Sequence, residues 1–108
     1  MASEPSAILS LVRDAARKRI LFLPHAIRQM LRPDRMITRL DIRSVVFEGE
    51  IIEDYPEDQR GHSCLFLGFD TKGRAIHVIC SPKSEYLAII TAYLPDIEEW
   101  SDDFRQRI

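Results

Sequence analysis

Two apolar runs, HSCLFLGFD (62–70) and RAIHVIC (74–80), flank Thr71-Lys72-Gly73, and this pairing constrains the fold more than any other feature of the chain. A three-residue loop built on a type I turn, with Gly73 left-handed, joins two antiparallel strands without splaying them. If Asp70 opposes Arg74, Cys64 faces Cys80, Phe66 faces Val78 and Gly68 faces Ile76 on one side, while His77 faces Leu67 on the other. Both faces are then mostly apolar, so neither is expected to lie fully open to water.

The rest of the chain supplies partners for that hairpin. Residues 3–18 read as an amphipathic helix, capped by Ser3, with Glu4 in its positive first turn. Its stripe is Ile8, Leu11, Val12, Ala15 and Ala16, and Arg17, Lys18 and Arg19 crowd its end. ILFL (20–23) is a short buried strand, and Pro24 opens a second helix over 24–32. That helix puts Ala26, Ile27, Met30 and Leu31 on an apolar side and His25, Arg28, Gln29 and Arg32 on a polar one. A third helix spans 38–49, with Thr38 and Asp41 in capping-box positions and Gly49 as its terminator.

After Gly49 the period changes to two. EIIEDY (50–55) and YLAIITAYL (86–94) are the outer strands, Pro95 ends the last, and IEEWSDDFRQRI is expected to form a short tail helix. Strands that follow one another through short loops imply an α+β domain spanning 1–108. Its architecture is an antiparallel four- to five-stranded sheet with two or three N-terminal helices packed against it.

With 108 residues and a net charge of −2, the chain is not a generally basic nucleic-acid binder, although 15 Lys and Arg leave room for a local basic patch. No apolar run reaches the ~20 residues of a bilayer span, so no membrane role is expected. Two cysteines without a secretion leader suggest reduced thiols in a cytoplasm.

The candidate chemistry lies in a few polar residues. His77 reads either as a buried neutral histidine with a partner or as a pocket histidine with a tuned pKa. Arg60, His62 and Lys83 belong to the end of the hairpin away from the turn. If the second helix packs near that end, they join His25 and Arg28 around one hollow, a phosphate site of charge-assisted hydrogen bonds. His62, Cys64 and Cys80, with His25 as a fourth ligand, give a zinc-stabilised reading, but paired C-x-x-C spacing is absent and two cross-strand thiols fit a core better. No metal or cofactor is therefore expected.

Taken in order, PHAIRQM, RMIT, GEIIEDYP, RGHSCLFLGF, GRAIHVIC and ITAYLPDIEEW resemble a bacterial domain-of-unknown-function family over residues 20–100. Members of that family are encoded beside YgiT/MqsA-type zinc-finger antitoxins and look like relatives of RelE- and BrnT-type toxins. The resemblance implies a RelE-like fold, a zinc-finger antitoxin as partner and metal-free cleavage of single-stranded RNA. It puts the family histidines on His25 and His77 as acid or base, and gives the RNA phosphate to Arg28 and Arg60, assisted by Lys83. One position departs from the family pattern, since Gln29 stands where many members carry arginine. The alternative is a non-catalytic module that docks a partner protein.

Overall fold

A computed structural model describes residues 5–108, and Ser3 and Glu4, the expected cap and first-turn acid, lie outside them. Helix α1 (Pro5–Lys18) is followed by strand β1 (Ile20–Phe22) and helices α2 (Pro24–Met30) and α3 (Arg39–Glu48). Strands β2 (Glu50–Tyr55), β3 (Ser63–Phe69), β4 (Ala75–Pro82) and β5 (Leu87–Tyr93) complete the order. The fold is α+β, and the described strands form a sheet ordered β1-β5-β4-β3-β2. Its ladders are antiparallel except at the edge, where β1 runs parallel to β5. A parallel partner requires a long crossover, and here α2, α3 and three strands provide it.

The hairpin has the register its sequence dictates: Cys64 pairs with Cys80, Phe66 with Val78, Leu67 with His77 and Gly68 with Ile76. Its turn closes through Gly73 N–H to Asp70 O at 3.0 Å, with Gly73 at φ +85°. One face of the sheet lies under the helices. Phe66, Ile76, Val78, Leu87 and Ile89 pack there with Ile8 and Val12 of α1, Ala26 and Met30 of α2, and Ile42, Val45 and Val46 of α3.

Several expectations change. Leu11 is 57% exposed rather than part of the α1 stripe, and α2 stops at Met30, leaving Leu31 exposed. Thr38 and Asp41 form the capping box, but Gly49 ends α3 in an extended conformation (φ −81°, ψ −171°). Close approach explains this glycine, because a Cβ would sit 2.5 Å from both the Leu67 and Val45 carbonyl oxygens.

The tail is not a helix. Residues 99–108 fold back on themselves, with Ser101 N–H on Gln106 O (2.7 Å) and Ile108 N–H on Glu99 O (3.0 Å). Asp103 and Ser101 accept from the Arg105 and Gln106 amides, the local side-chain bonding that competes with helix. Trp100, 2% exposed, anchors this segment to the sheet face that carries no helix among the described residues.

Candidate functional site

Period-two alternation along β4 sends His77 to the helix-free face while Ile76 and Val78 enter the core. There it is fully buried. Tyr93, its cross-strand neighbour, lies edge-on at 5.3 Å and Trp100 at 4.4 Å between ring centroids. Both ring nitrogens are engaged, Nδ1 with the Tyr93 hydroxyl (3.2 Å) and Nε2 with the Phe104 carbonyl (2.9 Å). The carbonyl can only accept, so Nε2 carries the proton and Nδ1 accepts from Tyr93. Burial pushes the His77 pKa below its ordinary value against the opposing effect of that carbonyl, which keeps the ring neutral. Phe104, at φ 62°, turns the chain so that its carbonyl meets the imidazole.

A second group of polar side chains continues this face. On β2, a bulge between Ile51 and Glu53 sets the pairing past it, and the Glu53 carboxylate accepts from the Tyr55 hydroxyl. Arg107 donates to the same carboxylate, Nε at 3.0 Å and Nη2 at 3.2 Å, and stacks over Trp100 at 4.7 Å. Burial alone would raise Glu53, but the bonds from Arg107 and Tyr55 outweigh it and hold the carboxyl below the usual range. Burial and the Glu53 contact push Tyr55 up to about 12. Beside Tyr93, a cleft of about 460 Å³ is lined by Asp34, Arg35, Asp96 and Glu99.

The expected cationic hollow does not assemble. Arg60 is clamped by Asp58 (Nε 3.1 Å, Nη2 2.9 Å), and that bond holds Asp58 well below the usual carboxylate range. His62 Nε2 meets Asp54 at 2.5 Å, and Lys83 Nζ donates to the Arg60 carbonyl at 2.5 Å. These three therefore meet at the open end of the hairpin, but there they pin the 56–62 loop, Arg60 on Asp58, His62 on Asp54 and Lys83 on a backbone carbonyl. His25 and Arg28 sit elsewhere. The Leu23 N–H bonds Ile89 O, so α2 starts level with the middle of β5 and runs toward the opposite end. There the following loop meets the β3–β4 turn through Arg74, which donates to the Arg35 carbonyl at 2.5 Å. Cys64 and Cys80 are buried free thiols of the helical core, and contact with Cys64 together with burial raises Cys80. Their face is opposite to that of His77, and among the described residues no three His, Cys, Asp or Glu side chains are placed to hold a metal ion.

Sequence reasoning found His77 but missed Glu53, Tyr55, Trp100 and Arg107. Glu53 and Tyr55 share a strand face two residues apart, a signal that was legible. Arg107 reaches Glu53 only because the tail reverses, and no local pattern announces that. A family model described as "Domain of unknown function (DUF4258)" matches residues 22–94, from the end of β1 to just past β5. No curated protein and no solved structure matches the chain.

Proposed function

The chain belongs to the domain family of unknown function DUF4258, and on that premise we propose a toxin-like domain of a type II toxin–antitoxin pair whose RNA-cleaving face lies closed beneath its own tail. The observation that carries this reading is that His77, Tyr93, Glu53 and Tyr55 share the one sheet face that carries no helix among the described residues. Their cover is an irregular segment rather than a packed helix. The tail is acidic, with five Asp and Glu against two Arg in residues 95–108, while residues 1–94 hold thirteen Lys and Arg against twelve acids. Withdrawing it removes a negative screen from a face that must accept a polyanion.

In the open form, freed from Arg107, Glu53 takes the proton of a ribose 2′-OH. The 2′-oxygen then attacks phosphorus, and the bond to the 5′-oxygen breaks. Tyr93 passes its proton to that leaving oxygen. His77, released from the Phe104 carbonyl and open to water, exchanges to its Nδ1–H tautomer and returns a proton to Tyr93 while Glu53 gives the 2′-proton to water, leaving a 2′,3′-cyclic phosphate and a 5′-hydroxyl. Arg35, beside Tyr93, balances the phosphorane charge. This assignment moves catalysis away from His25 and phosphate binding away from Arg28, Arg60, His62 and Lys83. The partner is a zinc-finger antitoxin.

A second reading, a non-catalytic protein-binding module, is favoured by the complete hydrogen bonding of His77. One experiment separates the two. Full-length protein and Trp100→Ala, which loosens the tail, are incubated with single-stranded RNA in excess chelator. The proposal expects cyclic-phosphate ends, released faster by Trp100→Ala, with at least about tenfold loss in Glu53→Gln and in His77→Gln, the size of effect general acid–base groups carry. RNA left intact by every form, or cut equally by all of them, leaves the binding module.

A further inference from the structure

On the opposite layer, the stretch joining α2 to α3 and the first turn of α3 expose large apolar side chains. Leu31, Met36 and Leu40 are 66%, 64% and 77% exposed. A groove of about 200 Å³ runs there, lined by Ile27, Met30, Leu31, Met36, Ile37 and Arg39. Singly exposed apolar residues are common, but a groove with apolar rims is what a docked segment uses.

The presentation of Met36 is built in. Its backbone is left-handed (φ 50°), a conformation strained for a residue with a side chain. The loop holds this conformation through Met36 N–H on Arg32 O (3.0 Å) and Ile37 N–H on Met30 O (3.0 Å). Arg74, fixed by Asp70 at the β3–β4 turn, reaches across and donates to the Arg35 and Met36 carbonyls. A flexible thioether on a fixed backbone fills irregular apolar gaps in a partner.

Charge states what that partner carries. Residues 27–43 hold five Arg against Asp34 and Asp41, and Asp41 is engaged in the Thr38 capping box. Arg32 meets Asp34 at 3.4 Å, whereas among the described residues Arg28 and Arg39 pair with no carboxylate. Arg39 instead stacks on Phe22 at 5.0 Å, at the edge of the same groove.

We propose that the α2–α3 groove docks an amphipathic protein segment whose apolar anchors enter between Leu31 and Met36 while its Asp and Glu side chains meet Arg28, Arg32 and Arg39. A nucleic-acid backbone matches the arginines but gains nothing from the apolar floor. The groove shares no lining residue with the His77 face, although Arg35 of the same loop borders Tyr93, and it does not rest on RNA cleavage, so each reading can fail alone.

The test uses the full chain, isotope-labelled, titrated with a synthetic helical peptide of about 15 residues that bears Leu at helical spacing and Glu on its flanks. A twin with Lys in place of Glu and an oligouridine serve as rivals. The expected result is saturable shifts at Ile27, Leu31, Met36 and Ile37, binding at least about tenfold tighter than the twin, and weakening with salt. Met36→Gly suits the left-handed backbone and keeps the fold, yet must lose about tenfold in affinity, whereas Met36→Leu retains it. Equal binding of both peptides, shifts on the far sheet face, no saturable binding, or displacement of the peptide by oligouridine would each overturn the assignment. RNA cleavage, or its absence, has no bearing on these outcomes.

Discussion

The two faces of this sheet are covered by different physics. Under the helices, Phe66, Ile76, Val78 and Ile89 meet Ile8, Val12, Ile42 and Val46 in a dry apolar layer. Under the tail, the same β3 and β4 strands turn Leu65, Leu67 and His77 toward Trp100, with Glu53, Tyr55 and Arg107 at the margin. The first cover is fixed by many small dispersion and desolvation contributions. The second depends on one indole, an imidazole with two hydrogen bonds and an ion pair, so it responds to pH and salt. The charges separate along the chain too. Residues 13–43 carry nine Lys and Arg against three acids, and residues 44–108 six against thirteen, so the net −2 describes a polarised molecule.

Phe66→Ala gives the largest test of the contrast. It should destabilise the whole domain by about 3–5 kcal/mol in denaturant melts, because a fully buried ring leaves a cavity between sheet and helices. A loss below ~1 kcal/mol would mean that the helical cover is not the tighter one.

Acid should strip the other face. The folded pKa of His77 lies below the unfolded value, so between that value, about 6.5, and the folded pKa, the uncovered state binds a proton that the covered state refuses. The stability from this group is complete above pH 6.5 and falls on acidification, by at most about 1.4 kcal/mol per pH unit. Fluorescence of Trp100, the single tryptophan, followed against urea at pH 7.5 and 5.5 reads the change. His77→Gln should flatten it, and an unchanged slope in that variant would assign the pH dependence to the carboxylates.

The smallest effect belongs to Arg107→Ala. Arg107 is 62% exposed, so its pairing with Glu53 contributes no more than about 1 kcal/mol. The loss should appear as faster amide exchange near Trp100 and vanish in high salt, with the global melt unmoved. A global shift would join the tail to the main core.

The hairpin register was legible because pleat alternation and the Thr71-Lys72-Gly73 turn are local signals, and the α3 capping box was legible for the same reason. The site was legible in part. His77 stands out as a polar residue between apolar neighbours, but the spacing of Arg60, His62 and Lys83 suggests a phosphate site, whereas in the fold Asp58 pairs with Arg60 and Asp54 holds His62. Sequence proximity of opposite charges does not reveal which pairs close.

The strands, the helices of the described residues and the hairpin register were legible from short-range signals, because alternation, capping and turn chemistry act within a few residues. The parallel pairing of β1 with β5, the fold-back of the tail over His77 and the contact of Glu53 with Arg107 come from long-range packing alone. Those contacts join residues far apart in the chain, and they are selected by which apolar face still needs cover once the local elements exist.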